Sequence, residues 1–297
     1  MIDSLHDFSL WGGNNSYSPE TEKLIINRPY WLYSNIIITL YAICKLKTFK
    51  YNVKSIELYL NEYMHNYNFY PDLFLHKETN EEIITIEEAI SVIEDLHPSI
   101  YGFGSDMKSF DKQKLQKNIR TLIKIYNHYF TNNSSIQNHI DDIIKKHSIQ
   151  LDSTVFIWAR RTDKSQETDL PDAPDYIRET QNYKNIKKIL IQTDDSSFVN
   201  EFKELNNHLI EFINELPYSK TSSRGFHNHL SSICNDYFQQ THGISKIDYL
   251  KKFLAITYIA SRSKYFISYP GNMITIVPII RQNFDNCKLF LNKNEII

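Results

Sequence analysis

Apolar residues recur at three- and four-residue spacing along five stretches of the first 150 positions, which predicts helices at 31–47, 53–67, 86–96, 113–130 and 136–147. In the fourth, Leu115, Ile119, Leu122, Ile123, Tyr126 and Tyr129 share one face. Segments 15–27 and 100–110, the latter with Gly102 and Gly104, read as loops. Residues 31–46 are apolar enough to resemble a membrane span. They contain Ser34, Asn35 and Lys45 and fall short of the ~20 residues a span needs, so a buried helix is expected and no membrane span.

After position 150 the pattern becomes an alternation. Short apolar runs at 154–158 (TVFIW), 188–192 (KILIQ), 208–213, 265–268 and 288–291 read as strands. Helical patterns at 175–183, 197–206, 247–261 and 273–282 lie between them, and Asp194, Asp195 and Ser196 supply cap chemistry for the second. Strand and helix in alternation predict a parallel sheet with right-handed crossovers. The expected architecture is therefore α/β: a mainly helical N-terminal domain over 1–150 and a parallel-sheet domain over 151–297.

Composition narrows the chemistry. Only 7 of 297 residues are glycine, and no three fall at the spacing of a dinucleotide fingerprint or a P-loop. A nucleotide would have to be held without a glycine-rich cradle. The chain has 41 Ile, 27 Asn and 25 Lys against 8 Arg, the skew that an AT-rich genome produces. Arginine is then informative where it persists, because a planar bidentate fork is the main reason not to use lysine. Arg160 and Arg161 are the only adjacent pair.

A net charge of −2 gives no general attraction to nucleic acid or to an anionic membrane, so no nucleic-acid partner is expected. Three dispersed cysteines, Cys44, Cys234 and Cys287, argue against a disulfide framework or a zinc cluster. With no basic and apolar leader at the N-terminus, a reducing, cytoplasmic setting is the expectation.

In a parallel sheet, ligands sit beyond the carboxyl ends of the strands. The first strand runs into Arg160, Arg161, Thr162, Asp163 and Lys164, the second into Thr193, Asp194 and Asp195, and the late strand into Tyr269, Pro270, Gly271 and Asn272. A tandem arginine at such an edge offers donor forks for a diphosphate; the same residues could instead pair with Asp163, Asp194 or Asp195. Asp194 and Asp195 are open to two readings, ligand contact or helix cap. Arg224 with Gly225 reads either as a second phosphate contact at a helix start or as surface loop. His227, His229 and His242 lack supporting acidic or thiol ligands, so no metal is expected.

The segment FIWARRTDK resembles the His-x-Arg-Arg-Thr-Asp-Lys element of the alpha-1,6- and protein-O-fucosyltransferase superfamily, which includes rhizobial nodulation enzymes. Similarity continues through ILIQTDDSSFVNEFKE and ends in ITYIASRSKYFISYPGN, covering about residues 152–285. The resemblance implies a GT-B fold, two domains facing across a cleft, with GDP-fucose bound by a Rossmann-like C-terminal domain over 151–297. It implies inverting, metal-independent transfer to a glycan or glycoprotein hydroxyl, with no cofactor beyond the nucleotide-sugar donor. By the same resemblance Arg160 holds the diphosphate, and Arg161, Asp163 and Lys164 shape the pocket floor.

This chain departs from the family at several positions. Trp158 replaces the element's histidine, and the carboxylate that reads guanine falls at Ile256. Gly271, Asn272 and Met273 stand where the family has serines and glutamine, and Asn272 can still donate to phosphate. The general base falls at Thr168, with Glu167 one place earlier and Asp169 one later; Glu167 is taken as the base. The expected catalytic set is Arg160, Lys164 and Glu167. The donor-binding set is Trp158, Arg160, Arg161, Asp163, Asp194, Asp195, Arg224, Gly271 and Asn272. The alternative is a catalytically silent protein that keeps the fold and binds a sugar nucleotide or glycan.

Overall fold

A computed structural model describes residues 15–27, 32–59, 67–75, 82–96, 111–159, 170–217, 235–269, 271–293 and 295–297. The chain forms two compact units that interleave in sequence, one of residues 1–135 with 271–283, the other of 136–270 with 284–297. The break therefore falls earlier than position 150, and a late helix joins the N-terminal unit.

The first unit contains a three-stranded sheet. β1 (Ser16–Ser18) lies antiparallel to β2 (Lys23–Asn27), and β2 lies parallel to β3 (Ser55–Tyr59). The strands alternate: Leu24, Ile26, Ile56 and Leu58 are buried, while Lys23 and Glu57 point outward and pair at 2.9 Å. This corrects two expectations, a loop over 15–27 and, over its described residues 53–59, a helix over 53–67, of which 60–66 lie outside the described residues. In Ser-Ile-Glu-Leu-Tyr the period of two, with its β-branched and aromatic residues, prevails over the weaker helical spacing. Among the described residues the N-terminal half stays mainly helical, with this small sheet added to its helices.

Between β2 and β3 runs α1 (Leu32–Thr48), buried over nearly its whole circumference, which is why its pattern is so uniformly apolar. Around it pack α3 (Ile86–Asp95), α4 (Lys112–Tyr129) and α10 (Met273–Arg281). A reciprocal Thr85–Glu88 capping box starts α3, and Asp111 caps α4 by accepting from the Gln113 and Lys114 amides. The short α2 (Tyr70–Leu73) is pinned by aromatic packing of Tyr70 and Phe74 on Phe130, and by the Tyr70 hydroxyl donating to the Tyr129 carbonyl.

The second unit follows the predicted alternation closely. It comprises α5 (Ser134–Lys146), β4 (Thr154–Ala159), α6 (Ala173–Thr180), β5 (Lys188–Thr193), α7 (Ser196–Glu204), β6 (Ile210–Phe212), α8 (Asn235–His242), α9 (Lys246–Arg262), β7 (Tyr265–Ser268), β8 (Cys287–Asn292) and β9 (Glu295–Ile296). The sheet order is β6-β5-β4-β7-β8-β9, parallel except for β9. Its first five strands thus take the 3-2-1-4-5 order, with the switch point between β4 and β7. All six residues of β4 are buried, as a central strand covered on both faces requires. On one face Val155, Ile157, Ala159, Ile189, Ile191 and Ile267 pack against Tyr176, Phe198 and Phe202. On the other, Phe156 stacks on Trp158, whose ring meets Phe253 of α9.

Candidate functional site

The register of the three central strands puts Gln192, Trp158 and Ser268 in one row across β5, β4 and β7, with Ala159 opposite Thr193 one residue farther on. Strand interiors here are apolar, yet the carboxyl ends bury Gln192, Thr193, Asp195 and Ser268. Buried polar groups need partners, and most of these have local ones. The Ser268 hydroxyl donates to the Tyr269 carbonyl at 3.1 Å, and the Thr193 hydroxyl accepts from the Asp195 amide at 3.2 Å. The exception is Gln192. It is 4% exposed, its Nε2 donates to the Thr193 carbonyl at 3.0 Å, and its Oε1 is buried with no hydrogen-bond partner. An orphaned acceptor of this kind costs about 1–3 kcal/mol.

Trp158 is 4% exposed, stacked on Phe156 at 6.0 Å and edge-on to Phe253 at 5.4 Å. Its place two residues after Phe156 on a central strand puts both rings on the α9 face. Asp195 is the N-cap of α7; its carboxylate accepts from the Ser197 amide at 2.8 Å and the Ser197 hydroxyl at 2.6 Å. Asp194, beside it, is half-buried. Ile256 is fully buried on α9. Arg160, Arg161, Asp163, Lys164, Glu167 and Arg224 lie outside the described residues; Arg160 is the residue after Ala159, the last of β4.

Gly271 and Asn272 belong to the first unit, where they open α10. Gly271 has φ +150°, a backbone state that suits glycine alone. Asn272 donates through Nδ2 to the Ser34 hydroxyl at 2.7 Å, while its Oδ1 is buried without a partner. The Asn272 side chain does not cap this helix; the Ile274 and Thr275 amides donate instead to the Gly271 and Asn272 carbonyls, each at 3.1 Å.

Gln192 was not among the residues expected at the site, although a polar residue visibly ends an otherwise apolar run in Lys-Ile-Leu-Ile-Gln-Thr.

A second polar cluster lies at the opposite, amino end of the sheet. His147 faces Glu211 through Nδ1 at 2.5 Å and Glu215 through Nε2 at 2.9 Å. Lys188, the first residue of β5, reaches Glu211 at 2.6 Å, and Lys146 reaches Glu215 at 2.6 Å. Burial pushes both carboxyl groups up, but the hydrogen bonds and charges of Lys188, Lys146 and His147 outweigh it and hold both below the usual carboxylate value. Each member pairs with another, so this cluster joins α5 to β6. Among the described residues no three His, Cys, Asp or Glu side chains gather as metal ligands. No described helix is long and apolar enough to cross a membrane.

No protein-family model and no curated protein matches the chain. Among solved structures, NodZ alpha-1,6-fucosyltransferase soaked with GDP-fucose aligns at a TM-score of 0.50 and 12% identity, over 90% of this chain and 94% of that one. The fold is similar to that of NodZ. NodZ co-crystallised with GDP aligns at 0.49, with 12% identity over 89% of this chain and 93% of that one. Bradyrhizobium NodZ in its Se-Met form aligns at 0.48, with 12% identity over 89% and 94%. At 12% identity the likeness concerns the fold alone.

Proposed function

We propose that this protein is a glycosyltransferase that moves fucose from GDP-fucose to a hydroxyl of a glycan or protein, with inversion and without a metal. The observation that carries this reading is the carboxyl edge of the second unit's sheet. Buried polar residues gather there at a topological switch point, and the only tandem arginine of the chain follows directly from β4. The likeness of fold to NodZ, whose crystals were soaked with GDP-fucose, supports the same reading.

In this proposal the second unit binds the donor and the first bears the acceptor. The acceptor oxygen attacks the anomeric carbon as the bond from that carbon to the diphosphate oxygen breaks. Glu167 takes the hydroxyl proton, and the electron pair leaves with GDP. Charge builds on the diphosphate, and donors aimed at it lower the barrier. Arg160 supplies a bidentate fork, Lys164 a point charge, and Arg161 and Asp163 shape the pocket floor. Arg224 provides a further phosphate contact. Asp194 lines the edge, Asp195 fixes the start of α7 beside it, and Trp158 is the packed floor beneath. Gln192 offers its vacant Oε1 to a donor group of the ligand.

The test is release of GDP and free or transferred fucose from GDP-fucose, in the wild type and in Arg160→Lys. Transfer is expected in the wild type and near loss in a folded Arg160→Lys protein. Binding of the nucleotide with no sugar released would favour a silent binding protein and overturn the catalytic reading.

A further inference from the structure

The first unit contains a cavity of about 220 Å³ that the donor chemistry does not use. Ile43, Val53 and Ile84, all buried, form its apolar floor, and the half-buried Tyr51 adds a ring. The floor is fixed in place. The Tyr129 hydroxyl donates to the Val53 carbonyl at 2.5 Å, and the Tyr17 hydroxyl donates to the Asn52 carbonyl at 2.5 Å.

Two ion pairs stand among the lining residues: Lys54 with Glu22 at 2.5 Å and Lys47 with Glu82 at 2.6 Å. Glu22 has φ +51°, a state uncommon outside glycine and asparagine, and its carbonyl accepts from the Lys54 amide at 2.7 Å. Such an outlier persists only where its surroundings hold it, and here it sets a carboxylate beside the cavity.

The charges decide the ligand class. Two ammonium groups are matched by two carboxylates, so an anion meets Glu22 and Glu82, and a cation meets Lys47 and Lys54. Neither gains a net attraction. A neutral ligand rich in hydroxyls does gain, because each paired carboxylate keeps an oxygen able to accept and each ammonium keeps donors beyond the one in its ion pair. The exposed Asn52 amide adds both functions. An apolar floor with an aromatic ring beneath a polar rim matches the two sides of a pyranose, an apolar C–H face and a hydroxyl edge. The volume is below the ~300 Å³ at which drug-sized sites begin, which suits one sugar ring and not a nucleotide sugar.

We propose that this cavity binds one neutral hexopyranose ring. Resting on the glycosyltransferase reading above, that ring is a sugar of the acceptor.

Saturation-transfer NMR on the full chain, without nucleotide, tests this with the methyl glycosides of glucose, N-acetylglucosamine, mannose, galactose and fucose. At least one is expected to receive saturation. Asn52→Trp, at an exposed position beside the cavity, should abolish the signal. Glu82→Gln, whose side chain is 63% exposed, should weaken affinity roughly tenfold by removing a charge-assisted hydrogen bond while leaving the fold intact.

The proposal is overturned if no glycoside binds, if both variants bind as the wild type does, or if sulfate or spermidine displaces the sugar more strongly than another glycoside does. GDP-fucose turnover in the same samples separates the two readings. Glycoside binding without turnover leaves the cavity assignment standing and sinks the transferase, while turnover without glycoside binding sinks only the cavity assignment.

Discussion

Replacing Gln192 by methionine should make the protein more stable and its ligand binding weaker. The amide occupies the carboxyl end of β5 with Oε1 buried and unpaired, a deficit of about 1–3 kcal/mol. Against this, Nε2 donates one hydrogen bond to the Thr193 carbonyl at 3.0 Å, a net contribution of about 0.5–1.5 kcal/mol that is lost with the amide. Methionine has similar length and adapts to irregular space, so no large cavity opens. The difference is a gain of roughly 1 kcal/mol, or about 2–4 °C in Tm for a chain approaching this size. If the vacant oxygen accepts a ligand hydrogen bond, GDP or GDP-fucose affinity should fall about tenfold in the same variant. Thermal unfolding and calorimetric titration on one preparation read both effects. A loss of more than about 1 kcal/mol with unchanged nucleotide affinity would make the amide a structural group and not one held for a ligand.

Trp158→Ala should destabilise the protein by about 3–5 kcal/mol in urea unfolding, since the ring is packed between Phe156 and Phe253, and Trp158→Phe by clearly less. A cost below about 1 kcal/mol would mean the ring is not part of the core. The Glu211 and Glu215 carboxyl groups are held below the ordinary value of 4.5 in the folded chain. Their contribution to stability is therefore fully present above that value and is lost as pH falls through their folded values. Tm followed downward from pH 6 should drop below pH 4.5 more steeply in the wild type than in Glu215→Gln; equal slopes would show the cluster adds nothing.

The second unit was legible because its elements are short, apolar and punctuated. β4, β5 and β7 each read as runs of buried residues, and β7 at Tyr265–Ser268 coincides with the run seen in the sequence. The first unit was not, and residue pairs explain why. Ile56 and Leu58 fit a strand, while Val53, Ile56 and Tyr59–Leu60 together also fit a helical spacing, so a short segment with both periods was assigned to the longer element. β2 looked like a loop because only Leu24 and Ile26 face the core, and its partner β3 lies across the intervening α1. Pairing of that kind is a tertiary fact that local pattern does not carry.

Site residues divide in the same way. Sequence order alone placed Arg160 after a strand and Asp195 before a helix. The burial of Trp158 and the unpaired oxygen of Gln192 depend on neighbouring strands and on α9.

In the proposed mechanism the carboxyl edge of the second unit's sheet holds a nucleoside diphosphate sugar through Arg160. Isothermal titration of GDP into the wild type and into Arg160→Lys tests it most directly. Measurable binding by the wild type is expected, with a loss of roughly 10- to 100-fold in the variant, the worth of a bidentate charge-assisted contact. Equal affinity in the two proteins, or no binding of GDP by the wild type, would contradict it.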